Sequence, residues 1–124
     1  RGQKVDVKIP SDDPRALAAY ENGKEHFYTK RGQLNFACAD CHMLTAGNLY
    51  RADTTSPGFG HGTHWPVYRS KWQSMGTLHR RFAGCHKNIR ANPYKAQGPE
   101  YSNLEYFVTY MSNGLTFNGP GARK

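Results

Sequence analysis

The chain has 124 residues, with 17 Lys plus Arg against 9 Asp plus Glu, for a formal net charge of +8. A chain of this length has room for one core but not two, so residues 1–124 are expected to form a single domain. Hydrophobic residues make up 37% of it, and no apolar run approaches the roughly 20 residues of a spanning helix, which excludes a membrane span.

Residues 1–12 form a polar segment ahead of the first predicted helix. The start, Arg1-Gly2-Gln3-Lys4-Val5, holds no apolar export core, so a signal has been removed or the chain begins inside a longer protein. Asp13-Pro14 then supplies an N-cap and a proline at the first helical position. The face Leu17, Tyr20, Lys24, Phe27 and Tyr28 carries that helix past Lys30-Arg31, with Gly32 as its stop. Gly23 and Phe27, one turn apart, suit a close helix crossing. The crossing partner is residues 100–113, where Leu104, Phe107, Val108 and Met111 fall at i, i+3, i+4 and i+7 and Gly114 closes the helix.

After the first helix comes Cys38-Ala39-Asp40-Cys41-His42, the covalent haem-attachment motif. Each thiol adds to a porphyrin vinyl group and the adjacent histidine reaches the iron from the same face, so the spacing and the final His are needed together. Cys38, Cys41 and His42 are therefore the cofactor-binding residues, for one haem c. A zinc site built with Cys85-His86 is disfavoured, because a neighbouring Cys-His pair lacks the gap between paired zinc ligands. Covalent haem attachment takes place outside the bacterial inner membrane, which points to the periplasm.

Residues 43–66, rich in Gly, Thr, Ser and His, are expected to form a long haem-covering loop, and 67–75 a short helix. Thr77 caps a further helix through Leu78, Phe82 and Ile89, which sets Arg81 and Cys85 one turn apart on one face. The expected fold is all-α, a cytochrome c-like domain with crossing terminal helices and long haem-covering loops.

Two residues compete for the far side of the iron. Met75 is the ordinary choice, whereas Cys85 lies among Arg80, Arg81, Lys87 and Arg90, whose field favours a thiolate and forms an anion site. Met111 is better explained as core. His26, His61, His64, His79 and His86 are read as surface or loop histidines, and His86 points away from the iron if Cys85 faces it. The basic residues form no recognisable nucleic-acid module, so an acidic protein or a small anion suits the charge better.

With the haem motif, the strings Pro66-Val67-Tyr68-Arg69, Gly76 to Cys85 (Gly-Thr-Leu-His-Arg-Arg-Phe-Ala-Gly-Cys), Glu100-Tyr101, Leu104-Glu105-Tyr106-Phe107 and Ser112-Asn113-Gly114-Leu115 closely resemble the SoxA family. The resemblance covers most of residues 15–124. It implies the haem subunit of the SoxAX thiosulfate-oxidising cytochrome, an L-cysteine S-thiosulfotransferase that couples thiosulfate to a cysteine of the carrier SoxYZ and passes electrons to haem. By that resemblance His42 is the proximal ligand, Cys85 the distal ligand and often a persulfide, and Arg81 the catalytic anion-binding residue. A SoxX-like small cytochrome subunit and a downstream electron-accepting cytochrome are implied in the same way. The familiar SoxA architecture has two cytochrome c-like domains, and this chain matches the C-terminal, catalytic one. The rival readings are a plain electron-transfer cytochrome c with Met75 on the iron, a thiosulfate dehydrogenase releasing tetrathionate, and a haem-based sensor or assembly subunit.

Overall fold

The computed structural model describes residues 2–10, 12–50 and 53–123. In chain order the elements are helix α1 (Pro14–Tyr28), a π-helical turn (Asp40–Leu44), strands β1 (Leu49–Tyr50) and β2 (Asp53–Thr54), a 3-10 turn (His61–Thr63), strands β3 (Val67–Arg69) and β4 (Ser74–Gly76), helices α2 (Leu78–Asn88) and α3 (Pro99–Met111), and strand β5 (Gly121–Arg123).

Asp13 caps α1 as expected. Its Oδ1 accepts from the backbone N–H groups of Arg15 at 3.0 Å and Ala16 at 3.4 Å, and Pro14 opens the helix. The end of the helix differs from the expectation. Thr29 donates both its amide and its hydroxyl to the Glu25 carbonyl, at 2.9 and 2.6 Å, and stops the helix three residues before Gly32. Gly32, at φ +76°, instead turns the chain between the bridged residues Arg31 and Phe36. Leu17 and Tyr28 of the expected apolar face are 45% and 47% exposed, while Phe27 is buried.

The crossing of the terminal helices is found where the sequence places it. A Cβ on Gly23 would lie 2.0 Å from the Asn103 carbonyl oxygen, so only glycine lets the α1 and α3 backbones approach this closely. Tyr101, Leu104, Phe107 and Val108 of α3 join Phe27, Ala39 and Leu78 in one buried cluster, with Met111 packed at its edge. Thr77 caps α2, its Oγ1 accepting from the Arg80 amide at 3.3 Å, and Ile89 ends it.

The fold is mostly helical with a small sheet, rather than all-α. Residues 67–75, expected as a short helix, instead form most of an antiparallel hairpin in which Val67 pairs with Gly76 and Tyr68 with Met75; β5 adds to β3 in parallel. Alternation explains the difference, since Val67 is fully buried and the next residue, Tyr68, is 42% exposed, a period of two. Trp72 in the turn takes the guanidinium groups of Arg69 at 4.8 Å and of Arg80 at 4.4 Å over its ring. The expected loop 43–66 is largely irregular and carries only the short β1–β2 pair and the 3-10 turn.

Candidate functional site

The haem motif closes into the π-helical turn, which carries Cys41 and His42. Asp40 anchors this turn. Its Oδ2 accepts from the Ala37 amide at 2.7 Å and lies 3.6 Å from Lys30 Nζ, and its carbonyl accepts from both the amide and the hydroxyl of Thr45. His42 Nδ1 lies 2.7 Å from the Ser56 carbonyl oxygen, so Nδ1 holds the proton and donates it. Its Nε2 has no hydrogen-bond partner among the described residues and offers a lone pair, the tautomer a metal ligand needs. Burial holds the His42 pKa below its usual value, the Ser56 bond partly opposing and the Arg81 charge adding to the fall.

That influence of Arg81 sets part of α2 near the haem motif, and a second one agrees. Burial and then the charge of Cys85 push the Cys38 thiol up to about 12, with Arg31 opposing. Cys38, Cys41 and Cys85 are all free of disulfides. These influences put Arg81 near His42 and Cys85 near Cys38. Arg81 Nη1 lies beside Gly84, so its guanidinium runs back over the helical turn that carries Cys85.

This donor set suits a haem: two thiols that would bond its vinyl groups and an imidazole that would hold its iron, with Cys85 a further sulfur donor. Among the described residues no three His, Cys, Asp or Glu side chains converge as a bare-ion site. Met75 sits on β4 and is 51% exposed. Arg80, expected in the positive field around Cys85, is engaged with Trp72 and donates to Ser74 Oγ at 3.0 Å.

Three histidines read from the sequence as surface groups are buried. His79, His86 and His26 are 2%, 3% and 6% exposed. His79 Nδ1 accepts from the Gln97 amide at 2.9 Å, and His86 and His26 meet at 3.2 Å between their Nε2 atoms. His86 is thus turned to His26 and Tyr101. Arg31 was read from the sequence only as part of the pair at the end of the first helix. Its charge acts on Cys38, His26, His86 and Tyr101, and it donates to the Tyr94 hydroxyl at 3.1 Å. Only the folded chain brings it there, through backbone bonds from Gln33 to Arg90 and from Leu34 to Ile89.

Residues 22–117 match the family described as SoxA/TsdA, cytochrome c domain. The L-cysteine S-thiosulfotransferase subunit SoxA of Allochromatium vinosum is 65% identical over 124 residues, which is all of this chain and 44% of that protein. Its counterpart in Paracoccus pantotrophus is 42% identical over 123 residues, 99% of this chain and 41% of that one. The crystal structure of SoxXA from P. pantotrophus superposes with a TM-score of 0.88 at 40% identity, covering 100% of this chain and 45% of the matched one. The chain spans less than half the length of these relatives. With the match covering most of its length, the chain belongs to the SoxA/TsdA cytochrome c domain family.

Proposed function

We propose that this chain forms the haem-bearing catalytic part of a periplasmic L-cysteine S-thiosulfotransferase, which joins thiosulfate to a cysteine of a SoxYZ-like carrier protein. One observation carries the reading: Arg81 and Cys85 stand one turn apart on α2, near His42 and Cys38 of the haem motif. The printed names of the SoxA relatives support it. The SoxXA structure supports a SoxX-like small cytochrome subunit as partner, and a downstream cytochrome takes the electrons on.

Cys38 and Cys41 would hold one haem c, and His42 and Cys85 would bind its iron. When bound, the haem iron accepts electrons. Arg81 grips the oxygen face of thiosulfate, for which a guanidinium fork is better shaped than an ammonium. The Cys85 thiolate forms a sulfur–sulfur bond with the outer sulfur of thiosulfate, and two electrons leave the pair. The carrier's cysteine thiolate then attacks that outer sulfur, taking the thiosulfate group and releasing Cys85 as a thiolate, an exchange that is redox neutral.

Arg81→Ala is expected to lower kcat for thiosulfate coupling about 100-fold with the haem still attached, the loss typical of one preorganised anion donor. Full turnover in that variant would overturn the role. Met75→Leu is expected to leave the haem spectrum unchanged, and Cys85→Ser to change it. The family description also covers TsdA; tetrathionate released without any carrier would replace the transferase reading with a dehydrogenase.

A further inference from the structure

The proposed chemistry uses Arg81 and Cys85 and leaves unused the buried polar cluster behind them. Tyr101 is fully buried, and His86 and His26 nearly so. The Tyr94 backbone N–H donates to the Tyr101 hydroxyl at 3.1 Å, and that hydroxyl lies 2.7 Å from His86 Nδ1. A buried phenol that already accepts must place its own proton, and His86 Nδ1 is the acceptor within reach.

The rest of the chain follows from that step. With Nδ1 accepting, a neutral His86 carries its proton on Nε2 and donates it to His26 Nε2 at 3.2 Å, so His26 is protonated on Nδ1. Both rings are buried among the rings of Tyr94 and Tyr101, a setting that disfavours a charge on either. One backbone amide thus sets the proton positions of three side chains. The two imidazoles lie almost parallel, 4° apart, with centroids at 5.2 Å.

The chain ties together three helices, since His26 belongs to α1, His86 to α2 and Tyr101 to α3. Successive side chains on a helix are separated by about 100° of rotation. Holding His86 inward therefore fixes how far α2 is turned about its axis, and with it the direction of the neighbouring Cys85 and of Arg81 one turn back. We propose that the Tyr101–His86–His26 chain is a positioning device, which sets the rotation of α2 and so holds the Cys85 sulfur and the Arg81 guanidinium in register with the haem motif. This rests on the reading of Cys85 and Arg81 given above.

The test uses the full-length, haem-loaded protein with its small cytochrome subunit. Tyr101→Phe keeps the ring and removes the proton donor, His26→Leu removes the terminal acceptor, and His26→Gln supplies an amide oxygen in its place. The readouts are electron paramagnetic resonance of the ferric haem and steady-state coupling of thiosulfate to the carrier. Tyr101→Phe and His26→Leu are expected to show a second low-spin signal and a kcat roughly 10-fold lower with little change in KM, and His26→Gln to restore both.

Wild-type spectra and kcat in Tyr101→Phe would overturn the proposal, and this variant carries the test alone if His26→Leu does not fold. His26→Gln as impaired as His26→Leu would also overturn it, because the hydrogen bond would then be irrelevant. Cys85→Ser is measured beside them. An unchanged spectrum in Cys85→Ser overturns the ligand reading itself, whereas a changed one beside a wild-type Tyr101→Phe overturns the positioning chain alone.

Discussion

Two Cys-His dipeptides, Cys41-His42 and Cys85-His86, lie in one chain and use their histidines in opposite ways. His42 spends one nitrogen on a backbone carbonyl and leaves Nε2 without a hydrogen-bond partner among the described residues, whereas His86 spends both, Nδ1 on Tyr101 and Nε2 on His26. The first histidine can therefore serve a metal and the second cannot. What separates them is the element each sits on. The π-helical turn leaves His42 beside the irregular chain at Ser56, where a carbonyl is available, and α2 aims His86 into the α1–α3 core. Residue type does not assign a ligand; its spare hydrogen-bonding capacity does.

His86 of the second dipeptide meets His26 of α1 and Tyr101 of α3, so the largest effect is expected from breaking the α1–α3 crossing. Gly23→Val places a branched side chain where even a Cβ lies 2.0 Å from a backbone oxygen. The helices must separate, at about 3 kcal/mol or more. Loss of cooperative thermal unfolding, followed by circular dichroism, and failure of haem incorporation are the expected readouts. A Gly23→Val protein with cooperative unfolding and normal haem content would mean the crossing is not what holds the core together.

The next effect separates the two sides. His86→Leu removes a group whose two partners, the Tyr101 hydroxyl and His26 Nε2, are buried and left unsatisfied, and is expected to cost about 2–3 kcal/mol in urea unfolding. Acid sharpens the same contrast through His26, which is faced by His86 of α2, by Arg31 and Tyr94 from the connecting segments, and by Tyr101 of α3. Its folded pKa, about 3, lies below the ordinary 6.5, so the unfolded chain takes the proton first. Stability from this group is complete above the ordinary value and is lost as pH falls towards the folded one. His26→Gln, which does not titrate, should therefore show a shallower decline of Tm with falling pH over that window than the wild type; parallel declines would exclude His26 as a source.

Much of this site can be read in the sequence because it is local. Cys38, Cys41 and His42 fall within five residues, Arg81 and Cys85 within one helical turn, and Gly23 with Phe27 within another. The caps at Asp13 and Thr77 are local too, and both form as expected. The positioning chain was hidden because His26, His86 and Tyr101 come from three helices, up to 75 positions apart, and each alone looks like an ordinary polar side chain. Arg31 was hidden for the same reason. The hairpin at 67–76 was missed because a few alternating residues and a stacked Trp72 outweigh helix propensity over so short a stretch.

The smallest expected effect tests the other side of the comparison. Ser56 holds His42 through its carbonyl, which every residue has, and its side chain is tied instead to His61, with Oγ 2.7 Å from His61 Nε2. Ser56→Ala removes only the second bond. It should cost about 1 kcal/mol and leave the electron paramagnetic resonance signal of the ferric haem in place, in contrast to Tyr101→Phe, where the tie on the Cys85 side is itself a side chain. Such a result means that the His42 orientation is written into the backbone and is indifferent to residue type, while the Cys85 side depends on three particular side chains. A shifted signal in Ser56→Ala would show that His61, which meets the His42 ring edge-on at 4.7 Å, shares in orienting it, and the backbone carbonyl would no longer suffice as the explanation.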